Sequence, residues 1–412
     1  MRRFLLSSLF LAASACSGPT GPSDSSRPPP LIEALPRQLS PEEQVLIDAG
    51  NQFTFDLFRE ATQGLPADSN ALLSPLSASM ALGMVLNGAG GTTFDSIRVA
   101  LRVAGYPIDQ INTGYLTLTD LLTTLDPSTE IAIANSVWGH TGFPIKPAFL
   151  EAVRTWFAGE AQEVDFGDPA TVGMINDWVK TKTRDRIPKL LERIDPGEVA
   201  FLINAIYFKG QWREAFDRSK TRDGPFYGAD ATRSVPMMSR TGALNATATG
   251  DYQAAELLYG NGAYAMTIIL PGEGLSPQDI LQGLTPASWR SLTQSLTPST
   301  IPFMLPRFRF DYSKELKTPL SDMGMRIAFD EGRADLSGIA DVGPERLYIT
   351  RVTQKAFIEV NEEGTEAAAA TSVGIGVTSA PTPMIVDRPF LFAIRERLTG
   401  TVLFLGQVNT LK

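Results

Sequence analysis

The chain has 412 residues, 43% of them hydrophobic and 20% charged, with a formal charge of −9, one cysteine and one histidine. This is the balance of a globular protein with a large core, built as one large domain or two or three ordinary ones, and its acidity argues against a nucleic-acid partner, which needs concentrated Lys and Arg. One cysteine rules out an internal disulfide. With a single histidine beside it, His-rich zinc sites, CxxC pairs and an HExxH helix are excluded as well.

At the amino terminus Met1-Arg2-Arg3 is basic, Phe4 to Ala15 is mostly apolar, and Ala13-Ser14-Ala15 are small. Residues 1–15 therefore read as a signal peptide, and an apolar run of about 12 residues is too short to stay in a bilayer as a spanning helix. Cys16 follows the small residues in a pattern that resembles a bacterial lipobox, although Ala13 stands where leucine is commonest. The resemblance implies lipid attachment at Cys16 and a place in the cell envelope; an ordinary signal peptide and a secreted protein are the alternative. Residues 16–41, rich in Ser, Pro and Gly as far as Pro30, read as a flexible tether. No further linker interrupts the chain, so residues 42–412 are expected to form a single domain.

Gln44 to Glu60 places Val45, Ile47, Ala49, Phe53, Leu57 and Phe58 near one helical face, which predicts the first helix. Ala71-Leu72-Leu73 reads as a short buried strand. Ser74-Pro75 then marks the start of a buried helix that ends at Gly88. Helical and strand patterns alternate from there, as in a mixed α and β domain.

Near the carboxy terminus comes Glu362-Glu363-Gly364-Thr365-Glu366-Ala367-Ala368-Ala369-Ala370-Thr371, continuing through Ser372 to Thr378. Every second residue from Thr365 gives Thr, Ala, Ala, Thr, Val, Ile, Val, an uncharged face with the period of a strand. An alanine-rich helical turn over Glu366–Ala370 fits the residue types equally well. Ala380-Pro381-Thr382-Pro383 favours an exposed loop, because proline cannot donate to a ladder.

The run Met384-Ile385-Val386-Asp387-Arg388-Pro389-Phe390-Leu391-Phe392-Ala393-Ile394 resembles the carboxy-terminal signature of the serpins, and the Glu-Glu-Gly-Thr-Glu-Ala-Ala-Ala-Ala-Thr stretch resembles the reactive-centre loop of an inhibitory member. Further matches stand in family order, among them Leu202-Ile203-Asn204 to Trp212, Val235-Pro236-Met237-Met238, Leu305-Pro306-Arg307-Phe308 and Ala334-Asp335-Leu336-Ser337. The resemblance covers about residues 42–412. It implies an α+β serpin fold, one large domain of mixed sheets surrounded by helices, with an exposed loop over about 362–386.

What the resemblance implies of function is a serine-protease inhibitor that acts as a suicide substrate, forming a covalent acyl complex before its loop enters the central sheet. Such a protein needs no cofactor and no metal and is expected to be a monomer. Hinge residues would be Glu362 to Thr371, and family spacing from Gly364 and from Pro389 converges on Thr378-Ser379 as the reactive bond. Thr378, with Val377 and Ile375 nearby, favours elastase-like or subtilisin-like targets, with papain-like cysteine proteases as a secondary class. The shutter would use Ser74, Ser77 and Asn204, and the breach Trp212 and Arg307, with Glu362 the partner of Arg307. For Ser74 and Ser77, helix capping is the plainer role, and for the Arg307–Glu362 pair ordinary surface charge.

One departure stands out. Gln354 occupies the position where the family usually has a histidine, so the shutter of this chain would carry no group titrating near pH 6.5 and would meet Ser74, Ser77 and Asn204 through an amide. His140, in Val-Trp-Gly-His-Thr-Gly, is expected to be structural. No G-x-S-x-G elbow supports a serine triad, and a catalytic role is not expected. A serpin that binds without inhibiting, or a tethered solute-binding protein, would be the rival readings; the small, uncharged alternate face of the hinge speaks against the first, and the second leaves the loop unexplained.

Overall fold

The computed structural model describes residues 28–195, 197–342, 346–365 and 383–412. Helix α1 (Pro41–Thr62) starts in a capping box, with Ser40 accepting from the Glu43 N–H and Glu43 accepting from the Ser40 N–H, and Pro41 needs no partner in the first turn. It runs slightly beyond the expected 44–60 at both ends and buries Leu46, Ile47, Phe53, Leu57 and Phe58. Strand β1 (Ala71–Leu73) leads into α2 (Pro75–Leu86), which carries no charge and is buried on almost every side. Ser74 caps it by accepting from the Ser77 N–H at 3.4 Å.

Helices α3 (Gly91–Ala100) and α4 (Ile108–Thr124) are followed by β2 (Glu130–His140), α5 (Pro147–Phe157), β3 (Glu160–Val164), α6 (Ala170–Lys182) and β4 (Ala200–Gln211). Antiparallel strands come next: β5 (Arg222–Tyr227), β6 (Thr232–Ala248), β7 (Tyr252–Leu258) and β8 (Tyr264–Pro271). After α7 (Pro277–Gly283) and α8 (Pro286–Ser295) the chain forms β9 (Thr297–Pro306), β10 (Phe308–Glu315) and α9 (Lys317–Leu320). It closes with β11 (Thr353–Val360), β12 (Gly364–Thr365), β13 (Met384–Ile385), β14 (Phe390–Glu396) and β15 (Val402–Val408).

Two sheets form among the described residues. The larger runs β1-β15-β14-β8-β7-β6-β9-β13, with β5 paired to β6. Its strands β8, β14 and β15, apolar over most of their lengths, are buried from end to end, as strands covered on both faces are. The other sheet runs β10-β11-β12-β4-β2-β3. In β11 burial alternates, with Gln354, Ala356, Ile358 and Val360 turned inward, the pattern of a strand with one covered face. Helix α6 covers part of the opposite face, where Trp138, Ile175, Val179, Ile187, Phe201 and Ile203 make a second, smaller core.

Strand β12 is the element that positions the site. It has two residues and lies antiparallel to both neighbours, with Val360 opposite Thr365 on one side and Gln211 and Gly210 opposite Gly364 and Thr365 on the other. Further along, no ladder joins β4 to β11 among the described residues. The two strands flank a cleft that continues the line of β12.

Candidate functional site at the cleft between β4 and β11

The head of the cleft is built around the backbone of residues 361–365. Trp212, the first residue after β4, donates its N–H to the Glu363 carbonyl at 2.7 Å and its indole N–H to the Asn361 carbonyl at 2.9 Å. The Phe216 N–H donates to the Glu362 carbonyl at 2.9 Å, and the Asn361 side chain accepts from the N–H groups of Glu363 and Gly364. Trp212 also stacks on Tyr259, with ring centroids 4.4 Å apart, and the Tyr259 hydroxyl lies 2.7 Å from the Thr365 hydroxyl. Three backbone carbonyls and one side-chain hydroxyl of this segment are thereby held by residues that sequence places far away.

Gly364 is required there. Its φ of +151° is a region that side chains with a Cβ rarely adopt, and a Cβ would meet the Gly210 carbonyl oxygen at 2.1 Å. Only glycine passes so close to β4.

The charges beside it are set by burial. Arg307 Nε reaches both Glu362 oxygens at 2.8 Å, and the Thr221 hydroxyl donates to the same carboxylate at 2.5 Å. Burial pushes the Glu362 carboxyl upward, but the Arg307 and Thr221 hydrogen bonds outweigh it and hold the group below its ordinary value of 4.5. The Glu362 side chain is 1% exposed and that of Arg307 42%, so the pair is more than surface decoration on the carboxylate side only. Glu363, also buried, forms an ion pair with the exposed Arg218.

Midway along the cleft, Gln354 and Ser74 exchange two hydrogen bonds: the Ser74 N–H donates to Gln354 Oε1 at 2.9 Å, and Gln354 Nε2 donates to the Ser74 carbonyl at 2.7 Å. The Ser74 hydroxyl donates to the Leu403 carbonyl at 2.8 Å, and that of Ser77 to the Asn204 carbonyl at 3.5 Å. The Asn204 side chain takes no part in this amide set. It donates to Asn135 Oδ1 across the β2–β4 ladder at 2.6 Å, and its own Oδ1 is buried with no hydrogen-bond partner. The expected meeting of Gln354 and Asn204 is thus absent, because the cleft separates their strands and each turns to the nearer side. An orphaned buried acceptor costs about 1–3 kcal/mol.

The structure therefore gathers Ser74, Ser77 and Gln354 into one network, with Asn204 adjoining it, and gathers Trp212, Arg307, Glu362, Glu363, Gly364 and Thr365 at the head of the cleft. Glu366, Ala367, Ala368, Ala369, Ala370 and Thr371 of the hinge, the Thr378-Ser379 bond and Cys16 lie outside the described residues. Ser40, inside the segment read as a tether, is the cap of α1, and hydrogen bonds to the domain begin at Pro29, whose carbonyl accepts from Arg213 at 2.6 Å. Sequence reasoning missed Tyr259, Asn361, Asn135 and Thr221. Of these only Asn361 left a signal, an Asn directly before a Glu-Glu-Gly turn. His140 accepts from the Phe166 N–H at 3.0 Å and packs on the Phe166 ring, a structural role.

Comparison with known proteins gives this geometry a family. Residues 48–411 match the model of the Serpin (serine protease inhibitor) family. This chain is a serpin. A serpin-like protein of Thermococcus kodakarensis is 34% identical, with 99% of each chain covered, and Iripin-2 of the tick Ixodes ricinus is 36% identical over 90% of this chain and 94% of its own. Among solved structures, the thermophilic serpin tengpin in its native state superposes with a TM-score of 0.81 at 29% identity, covering 93% of this chain and 97% of that one. Human thyroxine-binding globulin, in complex with its hormone, reaches the same TM-score of 0.81 at 27% identity over 90% of this chain and all of that one. The expected serpin fold is therefore the one observed, and the family is one of protease inhibitors. The globulin shows that the fold alone does not fix what a member does.

Proposed function

We propose that this serpin inhibits serine proteases as a single-use substrate. The protease attacks at Thr378-Ser379 and forms an acyl-enzyme, and the freed amino-terminal part of the loop extends β12 into the cleft, carrying the enzyme along before deacylation. The observation that carries this reading is β12 itself, two residues in register with β4 and β11, beyond which no strand joins the two among the described residues. Six residues further along both ladders, the position opposite Asn204 on β4 and opposite Gln354 on β11 is one and the same, Thr371. A strand that continues both registers brings the Thr371 hydroxyl level with the orphaned Asn204 Oδ1, on the same face as the buried Thr365.

The residue types suit such a passage. From Thr365 the inward face is Thr, Ala, Ala, Thr, small and uncharged, whereas a charge there would oppose burial by several kcal/mol. Each buried CH₂ adds roughly 0.8 kcal/mol and each paired amide its ladder bond, so the inserted form is the more stable and the intact form is held by a kinetic barrier. Thr378 and Val377 favour elastase-like and subtilisin-like targets, with papain-like cysteine proteases as a secondary class. Lipid attachment at Cys16 would hold the inhibitor in the cell envelope, where it would protect the envelope from foreign proteases.

The test is to mix purified protein with elastase and with subtilisin and to look for a denaturant-resistant complex together with a released fragment beginning at Ser379. Turnover of the serpin as a simple substrate by both enzymes, with no complex, would defeat the reading.

A further inference from the structure

At the foot of the cleft, the residues leading into β4 are tied to those leading into β11. Glu198, with a side chain only 3% exposed, accepts from Arg351 Nε at 2.9 Å and from Arg351 Nη2 at 3.0 Å, a two-pronged ion pair. The same carboxylate accepts from the Thr350 hydroxyl at 3.2 Å and from the Asp195 N–H at 2.6 Å. Arg351 in turn donates to the Arg193 carbonyl at 3.0 Å and lies 5.3 Å from the centre of the Phe201 ring. Between this knot and β12 the two strands have no ladder in common, and they border a cavity of about 250 Å³ lined by Leu202, Asn204, Ile349, Thr353 and Gln354.

We infer that Glu198 and Arg351 form a clasp that holds the foot of the cleft closed and resists the last part of loop insertion. The inference rests on the proposed insertion mechanism for its functional meaning, though the clasp itself consists of described residues. A strand continuing the β12 register reaches the level of Glu198 only after about twelve further residues, so the head and middle of the cleft fill first and the clasp is met last. Glu198 and Arg351 are positioning residues, acting by setting how readily β4 and β11 part. Arg351 also approaches Asp195 at 3.9 Å, adding a weaker charge contact between the same two lead-in segments.

Hydrogen exchange on the intact full chain tests this, comparing Arg351→Met, Glu198→Gln and the double variant with the parent. The clasp predicts exchange at least tenfold faster at the foot, in Phe201–Asn204 and Thr353–Ala356, with Tyr207–Gly210 at the head and Phe390–Ile394 in β14 changed less than twofold. The double variant should exchange no faster than the singles, and Arg351→Lys, which keeps the charge with one prong, should fall between. Equal acceleration at foot, head and β14, which is what a general loss of stability produces, would overturn the inference, as would no change at the foot. In subtilisin trapping, the same variants should need fewer molecules per enzyme captured than the parent. If the parent captures no enzyme, the insertion mechanism fails while the contrast between foot and head still decides the clasp.

Discussion

The hydroxyls of Thr365 and Tyr259 lie 2.7 Å apart in a buried contact, and Tyr259 is stacked on Trp212. The first residue of the proposed inserting strand is thus already inside the sheet. Burial pushes the Tyr259 phenol far upward, so it stays protonated at all ordinary pH and remains available as a donor to Thr365.

Thr365→Arg is expected to convert the inhibitor into a substrate. The guanidinium would have to enter a pocket where Thr365 is 3% exposed, at a cost of several kcal/mol. Gel analysis with subtilisin should show the cleaved serpin without the denaturant-resistant complex. Thr365→Val, which loses only the contact with Tyr259, should keep trapping with a moderately raised stoichiometry.

Gly364→Ala tests the close passage beside β4. A Cβ facing the Gly210 carbonyl at 2.1 Å forces β12 away from its register, at a cost on the order of 1–3 kcal/mol. The thermal midpoint of the intact protein should fall, and proteolysis within residues 362–365, resisted by the parent, should become rapid.

Acid should weaken the head of the cleft through Glu362. Because its folded pKa is held below 4.5, its contribution is fully present above the unfolded value and is lost as the pH falls from about 4.5 through the folded value. Arg307→Ala removes most of that contribution in advance, by about 1–3 kcal/mol once the exposure of Arg307 is allowed for. Urea unfolding should therefore show a gap between parent and variant that is constant from pH 5.5 to 8 and closes below pH 4.5.

Between pH 5.5 and 8 the shutter should be silent. Gln354 meets Ser74 through an amide that does not titrate, and His140, the one histidine of the chain, is engaged elsewhere with Phe166. Rates of heat-induced loss of trapping should be flat across this range in the parent, and Gln354→His should introduce a dependence centred near pH 6.5. A midpoint near 6.5 in the parent would contradict the assignment.

The fold was legible where chemistry is local. Ser74 announces a helix start because a hydroxyl at that place satisfies an otherwise free N–H, and Ala71–Leu73 announces a short buried strand because an uninterrupted apolar run needs cover. Arg307, Trp212 and Gly364 were found through family resemblance. Their partners Tyr259, Thr221 and Asn135 were not, because each contact depends on how strands far apart in the chain come to lie side by side, and no spacing within the sequence encodes that. The separation of Asn204 from Gln354 was hidden for the same reason: both are polar residues on inward faces, and only the sheet order, with β12 between their strands, keeps them apart.

The central claim, that the intact molecule is held short of its most stable state, is tested most directly by nicking the protein at Thr378-Ser379 and comparing thermal midpoints. Insertion of the freed segment predicts that the nicked form melts well above the intact one, by tens of degrees or beyond the range of the scan. A nicked form that melts at or below the intact midpoint would contradict the account.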